Sequence, residues 1–151
     1  HKQGKTQDFG NLQVAYMAPT EILATQHFES FIKYFNKFSD EAPINIGLIT
    51  GKSCRKFPSK VNPNGWTDIS RAQLLKWTAN GEIPILIGTH TLIQKTVKFK
   101  NLALVIIDEQ HRFGTEQRRK LVRKDNLAPH LLSMTATPTS ITLEIWLVVP
   151  V

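Results

Sequence analysis

Only one cysteine, Cys54, occurs among the 151 residues. An intrachain disulfide is therefore excluded, and the solitary thiol fits a reducing compartment. No apolar run approaches the about 20 residues that a membrane-spanning helix needs. The opening His1-Lys2-Gln3-Gly4-Lys5-Thr6 has no apolar stretch, so it does not read as a secretory signal. Internal repeats and low-complexity tracts are missing, and nothing marks a second domain. Acidic residues are scarce beside basic ones, 12 against 19, which leaves a formal net charge of +7. That balance is compatible with an anionic partner such as nucleic acid. The basic residues gather at Lys52-Arg55-Lys56-Lys60, Lys95-Lys98-Lys100 and Arg118-Arg119-Lys120-Arg123-Lys124. Each group reads equally as a solvated helix face or loop.

What remains is an ordinary globular composition, 41% hydrophobic and 21% charged, long enough for one domain with a proper core. Short apolar runs alternate with amphipathic segments, the pattern of βαβ units and a parallel sheet. Strands are expected at Leu12–Met17, Ile44–Thr50, Ile83–Ile87, Leu102–Ile107 and Leu131–Met134. A helix from Glu21 to Phe38 is expected after a Thr20 cap, its inner face formed by Ile22, Leu23, Gln26, Phe28, Phe31, Ile32 and Phe35. A shorter helix over Arg71–Trp77 ends at Asn80-Gly81, and a helical turn holds Leu92-Ile93-Gln94. Glu116–Val122 reads as a basic helix. Gly51–Ser70, with two prolines, two glycines and two asparagines but no clear period, reads as a long loop.

Chemistry is expected where Leu104-Val105-Ile106-Ile107 runs into Asp108-Glu109. In an open α/β sheet the carboxyl ends of the strands line the ligand site. An aspartate there can hold Mg²⁺ against nucleotide phosphates, and a neighbouring glutamate can polarise an attacking water. The same two acids also fit a plain solvated turn. Other strand ends carry Ala18-Pro19-Thr20, Gly88-Thr89-His90 and Thr135-Ala136-Thr137. Backbone N–H groups and hydroxyls at such turns make phosphate sites, although ordinary helix capping explains any one of them.

These segments resemble, in order, the motifs of superfamily 2 helicases of the DEAD/DEAH-like kind. Met17-Ala18-Pro19-Thr20-Glu21-Ile22-Leu23-Ala24 is similar to motif Ia, and Gly88-Thr89-His90-Thr91-Leu92-Ile93-Gln94 to motif Ib. Asp108-Glu109-Gln110-His111-Arg112-Phe113-Gly114 is similar to motif II, and Ser133-Met134-Thr135-Ala136-Thr137-Pro138 to motif III. The wording is nearest to bacterial helicases of branched DNA; transcription-repair coupling factors share much of it. The resemblance implies a RecA-like P-loop NTPase domain, a parallel sheet flanked by helices on both faces. It implies ATP and Mg²⁺ as cofactors, with Asp108 holding the metal through water and Glu109 acting on the hydrolytic water. Gln110 and His111 would link the nucleotide site to motif III, where Thr135 and Thr137 would couple the two sites. Pro19, Thr20, Thr89 and His90 would contact the sugar-phosphate backbone of branched or forked DNA. The further implied partner is a second RecA-like domain of the same parent chain. The implied setting is the bacterial cytoplasm, with no membrane.

Two departures accompany the resemblance. Gly4-Lys5-Thr6 matches the end of a phosphate-binding loop, Gly-x-x-x-x-Gly-Lys-Thr. Its first glycine would precede His1, and the helix that should follow has almost no room before Leu12. The tripeptide is thus either coincidence or a remnant; if authentic, Lys5 would reach the β- and γ-phosphates and Thr6 would ligate Mg²⁺. After Pro138 the family wording gives way to Thr139-Ser140-Ile141-Thr142-Leu143. Residues 1–151 are accordingly expected to be a partial N-terminal RecA-like domain, cut at both ends and by itself nearly inactive. The competing reading is a nucleic-acid-binding module of the same fold that has lost hydrolysis.

Overall fold

The computed structural model describes residues 12–37, 44–108, 130–136 and 141–146. Within them the chain runs β1 (Gln13–Met17), α1 (Glu21–Asn36), β2 (Ile46–Ile49), β3 (Cys54–Phe57), β4 (Thr67–Asp68) and α2 (Arg71–Ala79). It continues through β5 (Ile85–Gly88), a 3₁₀ turn (His90–Ile93), β6 (Leu102–Asp108), β7 (His130–Ala136) and β8 (Ile141–Trp146). The strands form one sheet in the order β4-β3-β2-β5-β1-β6-β7-β8. β2, β5, β1, β6 and β7 pair in parallel. Antiparallel pairing adds β3 and β4 at one edge and β8 at the other.

The parallel centre is as expected from the alternating pattern, whereas the edges correct it in two places. Gly51–Ser70 is not all loop. Its ends close into β3 and β4, because Cys54–Phe57 satisfies its backbone along the free edge of β2 and then offers its own edge to Thr67-Asp68. The run Cys54-Arg55-Lys56-Phe57 has no alternation that would announce a strand. Ile141–Trp146 is also a strand, paired with β7; its apolar residues at 141, 143 and 145 carry the period of two.

Burial is two-sided. Along β1, Ala15 and Met17 join one apolar cluster with Ile49, Leu74, Leu86, Leu92, Val105, Ile107 and Leu131. Tyr16 and Ala18 join the opposite one with Ala24, Phe28, Ile32, Ile46, Leu48, Phe57 and Ile87. Thus α1 covers one face while α2, through Leu74, covers the other. Near-continuous apolar strands follow from that arrangement, since neither face meets water.

Both helices have physical starts and stops. Thr20 Oγ1 accepts from the Leu23 N–H at 3.2 Å, and Ser70 Oγ accepts from the Gln73 N–H at 3.2 Å. α2 gives way to Gly81, whose φ of +89° is the left-handed conformation that glycine adopts without strain. The buried stripe of α1 is Ala24, Phe28 and Ile32, four residues apart. Ile22, expected on that face, is instead 71% exposed, and Gln26 is exposed as well. At 100° per residue, positions 22 and 26 lie well round the helix from 24 and 28.

Gln13 anchors the start of the sheet. Its fully buried amide donates to Thr78 O at 2.8 Å and Ile83 O at 3.0 Å, and accepts from Lys100 N at 2.8 Å and Asn101 N at 3.0 Å. One side chain therefore ties the end of α2, the approach to β5 and the approach to β6. The β1–β6 register shifts just beyond it, between Gln13 and Val14. Gln13→Leu leaves all four backbone partners without that amide, and we expect it to cost about 3 kcal/mol, measured as a lowered urea midpoint at unchanged m-value.

Candidate functional site

Register brings the strand ends to one edge. Met17 pairs with Gly88 and Ile107, Ile49 pairs with Gly88, and Asp108 pairs with Met134. The carboxyl ends of β1, β2, β5, β6 and β7 thus lie side by side. Ala18 N–H donates to Gly88 O at 2.8 Å, locking the turn after β1 to the end of β5. Gly88 itself is required by proximity: a Cβ there would lie 2.4 Å from the carbonyl oxygen of Ile49.

The expected nucleic-acid residues differ in how they are presented. His90 is exposed, and Pro19 and Thr20 are half-buried. The Thr20 hydroxyl caps α1. Thr89 is only 2% exposed, with its hydroxyl 3.1 Å from that of Thr91, which in turn donates to Ile49 O at 3.0 Å. These two threonines fasten the 3₁₀ turn to the end of β2. Thr135 lies in β7 and pairs with Thr142 of β8. Lys5, Thr6, Glu109, Gln110, His111, Thr137 and the Glu116–Val122 segment lie outside the described residues.

Asp108 closes β6, and α1 supplies its partner. His27 Nε2 lies 3.2 Å from Asp108 Oδ2, with the two side chains 29% and 15% exposed. A carboxylate can only accept, so Nε2–H donates. The imidazole packs on the Tyr16 ring at 4.7 Å between centroids, and Tyr16 meets Phe31 edge-on at 5.7 Å. Burial, reinforced by the nearby Asp108 charge, pushes the Tyr16 phenol up to about 12. Sequence reasoning missed His27. Its signal was position: seven residues after the Thr20 cap, next to Phe28 on the inward-facing stripe.

Arg71, also missed, braces the far side of the edge. It donates to Thr50 O at 3.3 Å and to Gln94 Oε1 at 2.8 Å, joining the first turn of α2 to the β2–β3 turn and to the end of the 3₁₀ turn. The Cys54 thiol is pushed up by burial, with Arg71 acting in the opposite direction. Farther along β3, the Arg55 guanidinium stacks on Trp66 at 4.0 Å, so this tryptophan is 37% exposed rather than free. Lys56 donates to Pro58 O at 3.0 Å beside Trp77. Burial and then the Lys60 charge push its ammonium down, against Glu82. Part of this basic cluster is thus built into the hairpin.

The arrangement defines a class before it defines a family: an α/β domain whose parallel strands deliver an acid, hydroxyls and turn backbone to one carboxyl-end edge. A family model described as DEAD/DEAH box helicase matches residues 3–145, and the chain belongs to that family. It is similar to the ATP-dependent DNA helicase RecG of Synechocystis, 44% identical over 138 residues, which is 91% of this chain and 14% of that protein. RecG of Bacillus subtilis is 46% identical over 133 residues, covering 88% of this chain and 17% of that one. The solved structure of RecG bound to a three-way DNA junction aligns with a TM-score of 0.58 at 35% identity, over 83% of this chain and 14% of that chain. The chain therefore spans between about one-seventh and one-sixth of the length of these relatives. The expected helicase family and the α/β fold are both upheld.

Two outcomes follow from the edge geometry. Gly88→Ala should force β2 and β5 apart and cost about 2 kcal/mol, read by thermal or urea unfolding. The folded protein keeps a Tyr16 proton that an unfolded chain gives up near pH 10. Stability present below pH 10 is therefore lost as pH rises toward 12, by about 1.4 kcal/mol per pH unit. Tyr16→Phe should flatten that alkaline decline, checked by urea midpoints across the window.

Proposed function

We propose that residues 1–151 belong to the N-terminal RecA-like ATP-binding domain of a RecG-type helicase that remodels branched or forked DNA. The observation that carries this reading is Asp108, set at the carboxyl end of β6 between the ends of β1 and β7, within a chain similar to RecG over nine-tenths of its length.

The donor chemistry at Asp108 fits Mg²⁺. Among the described residues no group of three or more His, Cys, Asp and Glu side chains could hold a metal. Magnesium at nucleotides asks for less: one or two carboxylates, with water and phosphate oxygens filling the other positions. Asp108 would hold it through water. Bound there, the metal would supply positive charge against the nucleotide phosphates. Lys5 and Thr6 belong with the same phosphates in this reading. Glu109 positions and polarises the attacking water, and Gln110 and His111 pass the change to Thr135 and Thr137. Pro19, Thr20, Thr89 and His90 serve the DNA backbone, the buried Thr89 through its main chain and His90 through its exposed ring.

The second RecA-like domain of the same parent chain would complete the ATP site, and the bacterial cytoplasm would be its setting. Among the described residues no helix is long and apolar enough to cross a membrane. The test is DNA-stimulated ATP hydrolysis by the complete protein. Glu109→Gln should lower turnover by about 100-fold or more while ATP binding persists, and chelation of Mg²⁺ should abolish turnover in the parent protein. Turnover that survives Glu109→Gln unchanged would sink this assignment.

A further inference from the structure

We propose that His27 is a positioning residue for Asp108, holding the carboxylate in the rotamer that receives the metal–nucleotide complex. The inference rests on the nucleotide reading above and adds a residue outside the acid-bearing segment itself.

Asp108 is the last residue of β6, where the sheet no longer restrains a side chain from both sides. An aspartate in that place has two torsions to lose before it can hold a ligand in one geometry. His27 removes that freedom from 81 residues away, through the 3.2 Å contact between Nε2 and Oδ2. The imidazole is itself restrained. Its flank rests on Tyr16, and Tyr16 is braced by Phe31 one helical turn farther along α1. Hydrogen-bonded partners of this kind orient a carboxylate toward a metal, and deleting them weakens metal affinity by about 10- to 100-fold. The contact also joins the acid to α1, the helix that begins at Thr20 on the expected DNA edge. A tether serving only to hold helix to strand would change stability and leave ligand affinity alone. That difference makes the role measurable.

The experiment measures binding of Mn²⁺ with a non-hydrolysable ATP analogue to the complete protein, by calorimetry and by the Mn²⁺ electron paramagnetic resonance signal. His27→Ala should weaken binding about 10-fold. His27→Gln, which restores an N–H near the place of Nε2, should recover affinity to within about threefold of the parent. His27→Phe keeps a ring against Tyr16 and deletes the donor, so it reads the loss should the alanine variant fail to fold. In an Asp108→Asn background, His27→Ala should have no further effect on affinity. Parent-like binding by both His27→Ala and His27→Phe overturns the inference, as does an equal loss in the Asp108→Asn background. Absence of any Mn²⁺–nucleotide binding by the parent protein overturns the nucleotide reading instead, and this inference with it.

Discussion

The parallel pairing of β1 with β5 on one side and β6 on the other is the constraint on which the rest depends. Its register places Met17 level with both Gly88 and Ile107, so the residues after each strand reach the same edge. Shifting β1 by one residue would send Ala15 and Met17 to the face now holding Tyr16 and Ala18. Both apolar clusters would be lost together. The same slip would draw Asp108 away from the turn after β1 and unseat Tyr16 from beneath His27. Stability and site geometry are thus set by one alignment.

Among the described residues, Gln13, Thr89 and Thr91 are buried polar groups with hydrogen-bond partners inside this apolar frame. Gln13 spends its whole hydrogen-bonding capacity on backbone atoms from three segments, which converts a buried amide from a cost into a clamp. Thr89 and Thr91 do comparable work at the opposite end of β5. The result is a sheet pinned at both ends, with Gly88 allowing the closest approach between β2 and β5 where the edge begins. A rigid edge suits a site that must recognise phosphate geometry and report changes in it.

Much of this was legible before the fold was known, and the reasons are local. Apolar runs at 12–17, 44–50, 83–87, 102–107 and 131–134 gave the five parallel strands to within a few residues, because a strand buried on both faces has to be apolar throughout. Thr20 and Asn80-Gly81 marked helix ends through capping chemistry that acts across one turn, whereas the Ser70 cap was seen only in the fold. The helicase motifs were legible as wording, and the family match over residues 3–145 agrees with them. The β3–β4 hairpin was hidden because Cys54-Arg55-Lys56-Phe57 is held by backbone pairing on both edges and by pairs such as Arg55 on Trp66, leaving no periodic trace. His27 was hidden for a related reason. A histidine on a helix says nothing about a strand 81 residues later until the sheet order is known.

The amino-acid sequence by itself determined the number and direction of the central strands, the starts of α1 and α2 and the identity of the acid at the end of β6. These rest on side-chain periodicity and on capping, interactions that span a few residues. Only the tertiary structure decided that β5 inserts between β1 and β2, and that the hydroxyl of Thr89 turns inward. It alone placed His27 against Asp108. Each of those outcomes depends on which apolar surfaces cover one another across long stretches of chain. That choice is made by the burial of the whole sheet rather than by any segment of it.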